Sequence, residues 1–347
     1  MDVPPAFPRV TLKDIAKAVG LSHAAVSLAL RNSPEVSKAT CRRVQEMSQK
    51  MGYRPNASAT ALAYHKKDSK VQPMVNSLAW LNFWPEPEKL RSYREFDLYW
   101  EGASASAAKF GYKLEEFVVN TEMSLRRLEQ ILLTRGITGI LLPPSGSTPI
   151  NWSEFNLERF SVVRLGVPRD VPLVYSVGAD QARNTMLAFE KVMEKGYRRI
   201  AFVGEVYREW SYGAGFLWAQ LMDCPAETRI PPFMLHAREI SKYQTAFTAW
   251  LEKEKPDAII TELAAIPAML KKAGYRVPED IGLATVTVHD CPIDAGIDQN
   301  AREIGRVAVL VALSLIHDNA HGEALISRQI LIKGRWVDGK CLPKARK

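Results

Sequence analysis

The chain has 347 residues, 47% hydrophobic and 24% charged, with a net charge of +8. It is too long for one ordinary domain and apolar enough to fill sizeable cores. Residues 1–10 hold no apolar run, which argues against a signal peptide. The apolar run 307–316 is far shorter than the ~20 residues of a membrane span and reads as a buried helix. Cys41, Cys224, Cys291 and Cys341 are scattered, with no CxxC and no His at metal spacing. They read as reduced thiols in a cytosolic protein that binds no metal.

In chain order, the first predicted helix opens at Thr11, whose hydroxyl can cap it while Asp14 answers three residues on. Leu12, Ile15, Ala16 and Val19 then recur at helical spacing. Gly20 stops the helix, because glycine accepts the positive φ of a tight turn, and Leu21 plugs that turn. Ser22 caps a second helix, where its hydroxyl and the free backbone N–H groups suit a phosphate. Ala25, Val26, Ala29 and Leu30 face inward on that helix; His23, Ala24, Ser27, Leu28 and Arg31 face out. A third helix starts at Ser37 and packs through Val44, Met47 and Met51. Three short helices with a glycine turn between the first two fit a helix-turn-helix, although the pattern alone also fits a small helical bundle with no DNA role. Charge favours the first reading. Residues 1–67 carry eleven Lys and Arg against four acids, so +7 of the net +8 sits on this small module. Phosphate neutralisation is what such a concentration of positive charge serves.

The stretch Val10-Thr11-Leu12-Lys13-Asp14-Ile15-Ala16, then Gly20-Leu21-Ser22, Ala25-Val26-Ser27, Val36-Ser37, Thr40, Arg43-Val44 and Gly52-Tyr53-Arg54-Pro55-Asn56, resembles the head of LacI/GalR regulators. The resemblance implies a homodimer on a pseudo-palindromic operator in double-stranded DNA, one recognition helix per half-site. It implies DNA contacts from Thr11, Leu12, Ser22, His23, Ala24, Ala25, Ser27, Leu28, Arg31, Asn32, Ser37, Thr40 and Tyr53. It also implies a hinge over 57–63 that turns helical on DNA, with Leu62 as a wedge, Ala59 and Ala63 beside it, and Arg54 and Asn56 gripping the backbone. Independently of the family, an apolar wedge that unstacks a base step bends the duplex toward more protein; the plainer reading is an Ala-rich linker. Ala24 and Leu28 depart from the family, which carries polar or charged residues there. Base reading then leans on His23, Ser27, Arg31 and Asn32, with Ala24 and Leu28 left for thymine methyls. DNA shape is expected to carry more of the specificity.

After a polar joint at 65–70, short apolar runs alternate with amphipathic segments. Strands are predicted at 77–83, 113–118, 139–142, 161–165, 199–203, 232–235, 258–261 and 283–288. Helices are predicted at 98–110, 125–135, 180–195, 213–222, 243–252, 264–273 and 301–316. That alternation argues for parallel sheets covered by helices, enough for two. No glycine-rich phosphate loop is present, so an NTPase or dehydrogenase lacks its main support. Val177-Gly178-Ala179-Asp180, the run from Gly196 to Gly204, and Gly274-Tyr275-Arg276-Val277-Pro278-Glu279-Asp280-Ile281 are similar to segments of LacI/GalR sensor bodies. The expected fold is therefore an all-α helix-turn-helix head (1–55), a hinge helix and linker (56–72), and an α/β two-lobed body like periplasmic binding proteins (73–347).

Such bodies close on a small ligand, and a ligand that prefers one state biases the other site. Departures from the family gather where ligand belongs: Glu209-Trp210-Ser211-Tyr212-Gly213 after the strand ending at Gly204, Glu262-Leu263 after Thr261, and Ala284 to Asp290 after Ile281. The candidate cleft set is Trp84, Tyr99, Ser145, Asp180, Trp210, Tyr212, Glu262 and Asp290, aromatic platforms and acids that suit a sugar. Each tryptophan is more often core than cleft, and Asp180 serves equally as a helix cap. His289 and Asp290 have no nucleophile beside them, so catalysis is not expected. The reading is a cytoplasmic, nucleoid-associated repressor without a cofactor, gated by a sugar-like effector. Its rival is a DNA-binding regulator that lacks a small-molecule site and answers to a protein partner or to nothing.

Overall fold

The computed structural model describes residues 12–30, 36–51, 76–120, 123–145, 150–166, 172–324 and 326–345. Two compact units fall within Met1–Met74 and Val75–Lys347. In the first, α1 (Leu12–Val19), α2 (His23–Leu30) and α3 (Lys38–Lys50) enclose a core of Ile15, Ala16, Val26, Ala29, Cys41 and Val44. Leu21, Leu30 and Met51 pack against that core, whereas Met47 is half-buried and Ser48 is buried. Gly20 sits at φ +68°, and the Leu21 N–H donates to the Ala16 carbonyl at 3.1 Å, which closes the turn after α1.

The second unit runs β1 (Asn76–Asn82), α4 (Pro87–Ser92), α5 (Arg94–Lys109), β2 (Tyr112–Val118), α6 (Leu125–Thr134), β3 (Gly139–Leu142), β4 (Ser161–Leu165), β5 (Tyr175–Ala179) and α7 (Gln181–Glu194). There follow β6 (Ile200–Glu205), α8 (Ala214–Asp223), β7 (Phe233–Leu235), α9 (Gln244–Glu254), β8 (Ala258–Thr261), α10 (Ile266–Lys272), β9 (Gly282–Thr285), β10 (Gly296–Asp298), α11 (Ala301–His317), β11 (Gln329–Ile332) and β12 (Arg335–Val337). These strands form two six-stranded sheets, ordered β11-β5-β4-β3-β1-β2 and β12-β10-β9-β8-β6-β7. All pairs are parallel except β10 with β12.

Both sheets are apolar on both faces, as parallel sheets covered by helices must be. In β1, Leu78 and Trp80 point to one core while Ala79 and Leu81 point to the other. In β6, Ile200 and Phe202 alternate with Ala201 and Val203 in the same way. Because successive side chains take opposite faces, a four-residue strand such as Gly139–Leu142 is entirely buried.

The sheet that holds β1 and its helices form lobe 1 and the sheet that holds β6 and its helices form lobe 2, and the chain passes between them three times: between β5 and α7, between β10 and α11, and between β11 and β12. The three crossings are bonded together. The Asp180 N–H donates to the Ile332 carbonyl at 2.9 Å, Asn300 Nδ2 to the Lys333 carbonyl at 2.7 Å, and the Gly334 N–H to Asn184 Oδ1 at 2.8 Å.

The predicted elements are present, with shifted ends. The helix expected at 98 begins at Arg94, and a separate α4 precedes it. The strand expected to reach 288 ends at Thr285, and Thr287, beyond it, bonds the opposite lobe. The run 307–316 lies in α11, which packs on α5 backbone to backbone. A Cβ at Gly305 would stand 2.0 Å from the Tyr99 carbonyl oxygen, and one at Gly102 would stand 1.9 Å from that of Arg302. Gly305→Ala is therefore expected to destabilise the body by about 1–3 kcal/mol through overpacking. Urea unfolding reads this as a lower midpoint; an unchanged midpoint would show that the helices can separate freely.

Candidate DNA-reading head and interlobe cleft

In the head, the Ala25 N–H donates to Ser22 Oγ at 3.2 Å, so Ser22 is the N-cap of α2. Ser37 caps α3 by accepting from the Thr40 N–H at 3.2 Å, with the two hydroxyls 2.8 Å apart. Arg43 reaches back to the Val19 carbonyl at 3.0 Å and ties α3 to the end of α1. Ser22, His23 and Ser37 are exposed; Ala25, Leu28 and Thr40 are half-buried. Lys17, Lys38, Arg42, Arg43 and Lys50 are exposed around the same unit, while α2 itself carries no charged residue. The side chains of Leu12, Ala24 and Ser27 lie outside the described set. So do Thr11, Arg31, Asn32, Tyr53, Arg54, Asn56, Ala59, Leu62 and Ala63, together with the hinge.

In the body, the C-terminal ends of β1 and β3 bring Trp84 and Ser145 to one rim. Trp84 Nε1 donates to the Pro144 carbonyl at 2.7 Å, and its ring lies 5.5 Å from that of Tyr93. Tyr99 is buried within the lobe 1 core. Asp180 caps α7 by accepting from the Arg183 N–H at 3.1 Å, at the first lobe crossing. Trp210 is 92% exposed, in a π-helical turn (Glu209–Gly213) after β6. Tyr212, from the same turn, is buried and accepts from Gln299 Nε2 at 2.8 Å. Glu262 accepts from the Glu205 N–H at 2.8 Å and pairs with Arg208 at 3.3 Å. The Arg208 guanidinium lies 5.7 Å from the centre of the Tyr212 ring.

The lobes meet at the start of α5. Thr287 Oγ1 donates to Glu95 Oε1 at 3.0 Å, and the Arg94 N–H donates to Asp290 Oδ1 at 2.7 Å. Tyr93, at the N-cap position, supplies no side-chain cap of its own. Asp290 from the opposite lobe takes that role, an anion at a helix start. Burial pushes Glu95 up to about 7, opposed by the Thr287 hydrogen bond. Burial also raises Asp290, against the pull of the Arg94 and Glu95 N–H groups. Burial would raise Asp298 too, but the Asn300 N–H and the Arg335 guanidinium hold it low.

Of the eight cleft residues expected from sequence, Asp290, Tyr99 and Tyr212 share this interlobe region with Glu95, Arg208, Thr287 and Gln299. Asp180 lies at the crossing and Trp210 faces solvent. Thr287 lies in the run Ala284 to Asp290 already marked as departing from the family, whereas Glu95, Arg208 and Gln299 were not singled out; the partner of Glu95 lies 192 positions away along the chain.

A helix-turn-helix unit together with a two-lobed body, each lobe a mostly parallel sheet and the chain crossing three times, is the architecture of a DNA-binding transcriptional regulator. Residues 11–56 match the family described as "Bacterial regulatory proteins, lacI family", and residues 189–340 match "Periplasmic binding protein-like domain". The HTH-type transcriptional regulator MalR of Streptococcus pneumoniae serotype 4 is 23% identical over 335 residues, which cover 93% of this chain and 97% of MalR. GntR of Escherichia coli K12 is 25% identical over 297 residues, 81% of this chain and 83% of GntR. The fold is shared with a CelR–cellobiose complex (TM-score 0.56, 18% identity, 96% of this chain and 100% of that one). It is shared also with the lac repressor dimer bound to operator and the anti-inducer ONPF (TM-score 0.53, 18% identity, 97% and 100%). The head is thus a LacI-family DNA-binding domain, and the relatives that match most of the chain are transcriptional regulators, not enzymes.

The Ser22 cap is directly testable. Ser22→Ala is expected to cost the head about 1 kcal/mol, and Ser22→Asp, an equally good cap, to restore it. Hydrogen exchange of the α2 amides measures both; equal protection in all three proteins would show that the cap contributes nothing.

Proposed function

We propose that the protein is an operator-binding repressor that acts as a homodimer and is gated by a small, carbohydrate-type effector between the lobes. The observation that carries the gating is the contrast between the two kinds of link joining the lobes. Three chain crossings are permanent, whereas the Thr287–Glu95 and Arg94–Asp290 bonds are reversible. A body so built has two poses, and a ligand with different affinity for them shifts the balance. Coupling of that balance to two DNA-binding heads is the allosteric step. Relatives described as MalR and GntR regulators, and the likeness to CelR in complex with cellobiose, support a carbohydrate-type ligand.

On the DNA side, the excess positive charge of residues 1–67 supplies non-specific affinity. The α2 residues His23, Ala24, Ser27 and Leu28, with Arg31 and Asn32 after them, read base edges. Ser22, Ser37 and Thr40 meet the backbone at helix starts. Thr11, Leu12, Ala25 and Tyr53 complete the contact, and Arg54, Asn56, Ala59, Leu62 and Ala63 form the hinge. Proposed boundaries are 1–55 for the head, 56–72 for the hinge and 73–347 for the body. Leu62→Ala is expected to reduce the preference for operator over random DNA by on the order of 2 kcal/mol, the scale of one unstacked step. Competition binding checks this, and undiminished preference would remove Leu62 as a wedge.

A second reading, a regulator with no small-molecule site that answers to a protein partner, is favoured by one feature. Tyr212, Glu262 and Asp180 already bond within the chain. Thermal unfolding of the purified protein with cellobiose, maltose, gluconate, polyols and sugar phosphates separates the two. A ligand at a hundred times its Kd adds about 2.7 kcal/mol, a shift of several degrees. A specific shift that also changes DNA affinity is expected; no shift across the panel, in protein that still binds DNA, would favour the second reading.

A further inference from the structure

We propose that the interlobe site is proton-regulated: Glu95 holds a proton in the closed body, and its loss drives the lobes apart. This rests on the reading of lobe movement as the regulatory event.

Glu95 is 4% exposed, in the first turn of α5. Its Oε1 accepts from Thr287, but its Oε2 is buried with no hydrogen-bond partner among the described residues. A buried carboxylate oxygen with no donor is costly, and protonation is the simplest relief. Nearby carboxylates reinforce this. Asp290 and Asp298, both from the opposite lobe, act on Glu95 with the same sign as burial. Asp290 has backbone donors at Arg94 and Glu95, and Asp298 has the Asn300 N–H and Arg335. Glu95 is the acid left short of donors, so the proton resides there.

The cationic neighbours are already engaged. Arg208 pairs with Glu262, Arg335 with Asp298, and His289 lies 3.4 Å from Asp298. Arg94, on the same helix as Glu95, pairs with Asp97 and Glu101. Tyr99 and Tyr212 are buried, and burial raises both, so they remain neutral. Burial pushes the Cys291 thiol up to about 11, so it too is neutral, and with it these are the described charged and titratable groups that face Glu95 from α5 and from the opposite lobe.

The sign follows from linkage. Opening exposes Glu95 to water and returns it toward the ordinary 4.5, whereas the closed body holds it near 7. The closed state therefore binds the extra proton. Its advantage is full below the ordinary value and is lost as pH rises to about 7, about tenfold in the closed-to-open ratio per pH unit.

Small-angle scattering of the full chain between about pH 5.5 and pH 8.5 tests this. The wild type is expected to expand as pH rises. Glu95→Gln, neutral at every pH yet still an acceptor for Thr287, is expected to stay compact throughout. His289→Gln is expected to keep the wild-type response. A wild type of constant size, or a Glu95→Gln protein that expands like the wild type, would overturn the proposal, as would loss of the response in His289→Gln. Because the readout is the shape of the protein alone, a failed effector screen or failed DNA binding leaves this result separately legible.

Discussion

The first turn of α5 is the constraint on which the body depends. A helix start leaves backbone N–H groups unsatisfied, and here the residue before the helix supplies no side chain to meet them. Asp290, from the other lobe, meets them instead. The consequence is that lobe 1 is fully hydrogen-bonded at this point only when lobe 2 is against it. The same turn carries Glu95, whose burial and bond to Thr287 depend on the same approach. Behind it, Gly102 and Gly305 let α5 and α11 touch through their backbones, so the turn is held on a rigid pair. Charge, capping and packing thus converge on one contact that can be made and broken.

Around that contact the fold provides a hinge. Crossings at Asp180, Asn300 and Gly334 lie side by side and bond to one another. Few backbone angles have to change for the lobes to part, which is the usual structural basis of hinge closure. Asp180 shows how one residue serves two levels at once: its side chain starts α7 while its backbone fastens the crossing to β11.

Much of this architecture was legible in the amino-acid order, for reasons that can be located. Apolar runs such as Ile200–Glu205 and Ala258–Thr261 are buried on both faces, so their signal is strong. Gly20 and Ser22 marked a turn and a cap by their chemistry, and both do that work. The strands not foreseen gave a shorter or more mixed signal: Gly296–Asp298 and Arg335–Val337 are three residues long, and Gln329–Ile332 is an exposed edge. The site was less legible than the fold. Tyr99, Tyr212 and Asp290 could be picked as aromatic or acidic residues near strand and helix ends. Glu95 lay ahead of the helix expected from 98, and its importance arises only from a partner in the other lobe.

The central claim is that the pose of the lobes sets the affinity of the heads for DNA. The most direct test is the affinity of the full chain for its preferred DNA, obtained by selection from random sequence, in two variants that push the lobes in opposite directions. Glu95→Gln favours the closed pose, and Asp290→Ala removes the cross-lobe cap and favours the open one. The account predicts that their DNA affinities move to opposite sides of the wild type. Three equal affinities, in proteins whose lobe poses demonstrably differ, would contradict it.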